Sequence, residues 1–291
     1  MSFILRRFAP VVAALGVAAA PSPSYALAVF SGSGASATTA FNDFNTAIQV
    51  VPNPRRINWD GVKLDGTDAN PNTRVIVNNS TVEIPIDRFR NVGAIYADPY
   101  SVSGDGFAGV NPATAGQFPA FTPNNTFAMF DTNPGEFNDR FIQQTFVLAN
   151  TNTPAATRGF GAIFIDVEQA GSSSIEYFGT NSKGEKVSLG KFNVPTGASG
   201  EPEFLGVLFD APIITEVELT LGTNALFNFD GTSFQSFGPE NLAQGIDLAV
   251  TDDFLFANPE LAQVVAVPEP GTIALLGGVL SGLILVRRRA K

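Results

Sequence analysis

Carboxylates carry most of the chemistry open to this chain, because neither histidine nor cysteine occurs among its 291 residues. That pair of absences removes Cys/His nucleophiles, zinc sites built on nitrogen and sulfur, haem ligation and imidazole general bases. The run Trp59-Asp60-Gly61-Val62-Lys63-Leu64-Asp65-Gly66-Thr67-Asp68-Ala69-Asn70 places Asp60, Asp65, Asp68 and Asn70 in an oxygen-rich loop of the kind that binds calcium. Its spacing departs from an EF-hand and ends in no bidentate glutamate, so a solvated turn explains it as well. Asp131-Thr132-Asn133-Pro134-Gly135-Glu136 is a weaker version of the same pattern. Asp252 and Asp253 are also candidate calcium ligands, but neighbours on a strand point to opposite faces, so sharing one site requires a bulge. Asp166 and Glu168 would sit on one strand face at roughly 7 Å, within the span a glycoside-hydrolase pair needs. An exposed polar face accounts for them equally. Trp59, the single tryptophan, could stack on a sugar or fill the core.

The elements that must position these groups are mostly strands. Phe41, Phe44 and Ile48 recur at helical spacing behind Thr38 or Thr39, which predicts a short N-terminal helix with a threonine cap. Residues 74–77 and 81–86 flank Asn78-Asn79-Ser80 and predict a hairpin whose Pro85 marks an edge strand. Residues 100–135 are rich in Gly, Pro and Asn and are expected to form a long loop region. From Phe141 on, strands are expected over 141–149, 160–167, 174–177, 186–192, 204–210, 214–221 and 253–256. In one of them Val217, Leu219 and Leu221 alternate with Glu216, Glu218 and Thr220, the pattern of a half-buried strand. No helix intervenes, so the fold class is all-β, a β-sandwich or jelly roll, preceded by the short helix.

The two ends read differently. Arg6 and Arg7 precede an apolar stretch, Phe8 to Ala20, too short for a stable span, and small residues follow up to Ala26. Residues 1–26 are therefore expected to be a secretory signal helix, leaving 27–266 as the exported domain. At the other end Pro268 and Pro270 hold the chain extended. Gly271 to Val286 then covers about 24 Å as a helix, a marginal membrane span, before Arg287, Arg288 and Arg289. The arginines stay cytoplasmic, so the body lies outside.

Pro268-Glu269-Pro270, a short apolar helix over 272–286 and the basic tail 287–291 resemble the PEP-CTERM sorting signal, read by an exosortase in the inner membrane of Gram-negative bacteria. The resemblance implies that this chain is an exosortase substrate, cut near Pro268-Glu269-Pro270 after export by general secretion. The second half resembles a β-sandwich module of such proteins through Gly159-Phe160-Gly161, Ile165-Asp166-Val167, Phe204-Leu205-Gly206-Val207, Ile213-Ile214-Thr215-Glu216-Val217 and Asp252-Asp253-Phe254. That implies a jelly-roll-like fold and transfers no catalytic residue. Without its processed ends the body keeps 11 Lys and Arg against 26 Asp and Glu, a net −15, which disfavours nucleic acid and anionic lipid as partners. The expectation is a non-enzymatic surface or matrix protein associated with exopolysaccharide, with no cofactor beyond a structural calcium. A calcium-assisted carbohydrate-binding module and a secreted polysaccharide hydrolase are the alternatives.

Overall fold

The computed structural model describes residues 27–49, 55–68 and 73–265. The expected signal peptide, the sorting residues Pro268, Glu269, Pro270 and Arg287 to Arg289, and the 272–286 span lie outside the described residues, as does Asn70. Among the described residues no helix is long and apolar enough to cross a membrane.

The chain starts with β1 (Leu27–Ser33), α1 (Ala35–Ile48), β2 (Arg55–Ile57), β3 (Arg74–Val77), β4 (Thr81–Ile84), β5 (Ala94–Tyr96), β6 (Tyr100–Ser103) and β7 (Thr126–Ala128). It continues through β8 (Phe141–Phe146), β9 (Gly159–Ile165), β10 (Ser174–Thr180), β11 (Lys186–Asn193) and β12 (Pro202–Phe209). The last strands are β13 (Glu216–Thr220), β14 (Phe227–Phe229), β15 (Phe234–Ser236) and β16 (Val250–Phe256). A nine-stranded sheet runs β1-β12-β9-β16-β7-β6-β4-β3 with β2 also on β16, and a five-stranded sheet runs β11-β10-β13-β8-β5. Their ladders are antiparallel throughout, which bears out the all-β expectation at the level of class.

Side-chain alternation puts Phe160 and Phe164 of β9, Leu205 and Val207 of β12 and Phe254 of β16 against Ile142, Ile175, Tyr177, Val217 and Leu219 of the smaller sheet. The opposite face of the large sheet presents Ile163, Ile165, Phe204 and Leu255 to Phe41, Phe44 and Ile48 of α1 and to Phe107, Val110 and Phe118. With both faces covered, β9 and β16 are buried along their whole length and show no wet face. Burying a phenylalanine contributes about 1.5–3 kcal/mol, so these rings supply the cohesion that disulfides provide in many exported domains.

Three local expectations change. The helix begins at Ala35 behind Gly34, with no side-chain cap, so Thr38 and Thr39 lie inside it. Pro85 follows β4, and β4 lies between β3 and β6, so the edge is β3. Residues 100–135 contain two inner strands, β6 and β7, and the loop between them folds Phe107, Val110 and Phe118 into the core beneath α1. Glycine, proline and asparagine there mark the turns, while the isolated aromatics that broke the periodicity are core residues.

Docking of α1 depends on a glycine pair. Gly161 and Gly206 face each other across β9 and β12, and the Phe204 ring lies over them. A Cβ on Gly161 would sit 2.7 Å from the Phe204 ring and 2.9 Å from the Gly206 Cα; one on Gly206 would sit 2.9 Å from Phe44 of α1. Gly161→Val is therefore expected to destabilise the protein by about 1–3 kcal/mol through overpacking, measured by urea denaturation. A loss below about 0.5 kcal/mol would mean that this packing yields freely.

Candidate functional site

The carboxylates of the 59–70 run do not converge. Asp65 accepts hydrogen bonds from the Thr67 N–H at 2.9 Å and its hydroxyl at 2.7 Å, a local turn that holds its pKa below the usual carboxylate value. Asp68 pairs with Arg88 at 3.0 Å. Asp60 accepts the backbone N–H of Asn124 at 2.8 Å and of Asn125 at 3.3 Å, with the Asn58 amide on its other oxygen at 2.7 Å. Each is committed to a different partner, so Asp60, Asp65 and Asp68 are not gathered round one point. Asp131 likewise closes its own turn, accepting the N–H groups of Asn133, Asn138 and Asp139 at 2.8, 3.2 and 3.1 Å.

Asp252 and Asp253 do turn to one side, because β16 carries a bulge. Thr251 pairs with Phe164 and Phe254 with Ala162, so two residues oppose one. Asp253 receives Arg56 bidentately at 2.7 and 2.8 Å and the Thr122 hydroxyl at 3.1 Å. Asp252 accepts the N–H groups of Phe121 and Thr122 at 2.6 and 3.1 Å. Burial, then the charge of Asp253, pushes Asp252 up to about 8. A guanidinium, a hydroxyl and backbone donors thus engage three of the pair's four oxygens, while Asp252 Oδ1 has no donor, and with Asp60 the pair fastens residues 121–125 to the sheet.

Trp59 is no sugar platform. It is 1% exposed, stacks on Phe127 at 3.8 Å with rings 4° apart, meets Phe89 and Phe254 edge-on, and donates its indole N–H to the Asp252 carbonyl at 2.6 Å. Core packing is its role.

The strongest acidic constellation forms where β9 ends. Asp166 follows the last strand residue with φ 73°, which breaks the strand alternation and brings Glu168 round to it. Carboxylate oxygens of Asp166, Glu168 and Glu240 lie within 4.8 Å of one another, closer than strand pleating would set the first two. Asp166 is buried and accepts Gln117, the Ser199 hydroxyl at 3.1 Å and the Gly200 N–H. Glu240 accepts the Leu248 N–H at 2.9 Å. Asp247, fully buried, accepts the Gln169 N–H at 3.0 Å on one oxygen, while the other has no donor. Glu203 at the start of β12 is fully buried, and neither of its oxygens nor either oxygen of Glu168 has a donor. The Val167 N–H lowers the charge cost at Glu203 but is not aligned as a hydrogen bond.

Electrostatically these five groups oppose one another. Burial, then Asp166, Glu240 and Asp247, pushes Glu168 up to about 8. Burial takes Glu240 to about 7 and Glu203 to about 9, with neighbouring carboxylates adding to both. Burial also raises Asp166, and its three donors pull it back. The sequence drew attention to Asp166 and Glu168 but not to Glu203, Glu240 or Asp247. Glu203 falls in an apolar strand, where a charged residue facing inward was the available signal.

The comparisons with known proteins bear on the end of the chain rather than on this cluster. No curated protein and no solved structure matches the chain. The family model described as the PEP-CTERM protein-sorting motif matches residues 266–289, so this chain carries that motif and is an exported protein directed to an exosortase.

Proposed function

We propose that this is a non-enzymatic surface or matrix protein, held briefly in the inner membrane by its tail and associated with exopolysaccharide after an exosortase cuts near Pro268-Glu269-Pro270. The sorting motif at residues 266–289 is the observation that carries the reading. The lack of histidine and cysteine agrees with a body that performs no thiol or imidazole chemistry, and its acidic surface keeps it clear of anionic lipid. The jelly-roll-like sandwich is then a stable, disulfide-free payload. A glycan-binding reading drew on Trp59 and on the 59–70 loop; the indole is buried and those carboxylates are already engaged.

Deleting Val267 to Lys291 is expected to abolish processing, so that the body appears in the medium with an unmodified C-terminus. Mass spectrometry of the mature C-terminus in native cells, beside the deletion strain, checks this. Surface display unchanged by the deletion would refute the sorting role.

A further inference from the structure

Carboxylates from three separate stretches of chain gather here: Asp166, Glu168 and Glu240 come within 4.8 Å of one another, and Glu203 and Asp247 lie close enough to share their repulsion. Asp166 and Glu168 follow β9, Glu203 opens β12, and Glu240 and Asp247 flank the turn that leads into β16. An acidic cluster alone could be a solvated patch. Here the orphaned atoms point otherwise. Asp247 is fully buried, carries one oxygen with no donor, and faces both Glu168 and Glu240 closely enough for carboxyl contact. Glu203 is also fully buried with both oxygens unpartnered, under the influence of Asp166 and Glu168. Buried polar oxygens in a folded protein are nearly always satisfied, so orphans on Glu168, Glu203 and Asp247 beside the convergent Asp166, Glu168 and Glu240 call for a positive partner.

The donor set selects the partner. All the ligand atoms are carboxylate oxygens, which suits a hard cation and not zinc or copper. Oxygens up to 4.8 Å apart fit around an ion with bonds of about 2.3–2.6 Å, the calcium range. Magnesium prefers to keep several waters in a tight octahedron and gains less from a cage of protein carboxylates. We propose that Asp166, Glu168, Glu240 and Asp247, backed by Glu203, form a calcium site that clamps the end of β9 to the segment entering β16. This site is separate from the Asp60 and Asp252 regions, and it does not depend on the sorting role.

The test uses the full-length chain in nonionic detergent at pH 8. Calcium alone, at 1 mM against a chelator, is expected to raise the unfolding midpoint by about 5–10 °C, with one ion per chain by isothermal titration. Magnesium at the same concentration is expected to shift it far less. In the double variant Glu168→Gln/Asp247→Asn, the calcium shift should vanish while the chelated protein stays at least as stable as the wild type, because amides need no proton to be buried there. Should that variant fail to fold, Glu240→Gln is expected to weaken calcium binding at least tenfold. The proposal is overturned if the wild type shows neither saturable calcium binding nor a midpoint shift at 1 mM. It is equally overturned if magnesium matches calcium, if the shift survives intact in the double variant, or if Glu240→Gln binds as tightly as the wild type.

Discussion

Trp59→Ala is expected to cost the fold about 3–5 kcal/mol, the largest loss foreseen for any single substitution here. The indole is 1% exposed and sits at the meeting point of three chain segments: its own turn after β2, Phe127 on β7 and Phe254 on β16. Removing it opens a cavity between inner strands that cannot slide together, since both are held by ladder hydrogen bonds. It also strips the Asp252 carbonyl of a donor at 2.6 Å, beside a bulge whose neighbouring carboxyl is already buried. Trp59→Phe keeps the ring stacked on Phe127 and should lose only about 1–2 kcal/mol, the hydrogen bond and part of the volume. Far-UV circular dichroism against urea measures both, because the substitution removes the sole tryptophan fluorophore. An exposed sugar-stacking indole would instead be nearly silent in stability. A loss under about 1 kcal/mol for Trp59→Ala would reopen that role.

Arg56→Leu is expected to destabilise by about 2–3 kcal/mol at pH 8 and by less than about 1 kcal/mol at pH 5. Breaking a buried ion pair from one side costs about 3–5 kcal/mol, and the figure is reduced here because the arginine side chain is 44% exposed while Asp253 is fully buried. The pH dependence follows from the carboxylate left behind. Burial raises Asp253 above its ordinary value, and Arg56 is what pulls it back, so its removal raises Asp253 further. A carboxyl with a raised native pKa binds its proton more tightly folded than unfolded. The native state therefore holds more protons than the unfolded chain from about pH 4 up to the native value, and stability falls as pH rises through that window. Asp252, itself raised to about 8, and Asp60 face the same space and add repulsion once ionised. Thr122 alone remains as a donor to Asp253. Urea denaturation of both proteins at pH 5, 6.5 and 8 measures the trend. A loss of equal size at all three would assign it to the contact of the guanidinium with the Phe41 ring rather than to the pairing with Asp253.

The strand pattern after Phe141 was legible because alternation and turn residues are local, and every strand expected there is present with its bounds moved by a few residues. The stretch 100–135 was not, since β6 and β7 are short and buried on both faces, which erases the alternation that announces a strand. Asp252 and Asp253 show the same limit at one site. Their adjacency suggested opposite faces, and only the pairing of β16 with β9 reveals the bulge that turns both toward residues 121–122. Asp166 and Glu168 were visible as a pair, but their spacing depended on a left-handed residue that no pattern announced.

The sequence by itself determined the address and the class: the sorting motif is contiguous, and antiparallel β-structure is written in neighbouring residues. Tertiary structure alone decided which carboxylates meet. Sheet order sets β9 between β12 and β16, and that adjacency brings Asp166, Glu168 and Glu240 together, with Glu203 and Asp247 near enough to act on them, from along some eighty residues of chain. It also gives Asp60, Asp68 and Asp253, which the sequence offered as ligands, to backbone donors and arginines. Desolvation and charge balance act between groups close in space, whatever their separation along the chain, so a site made of them is settled only when the strands are paired.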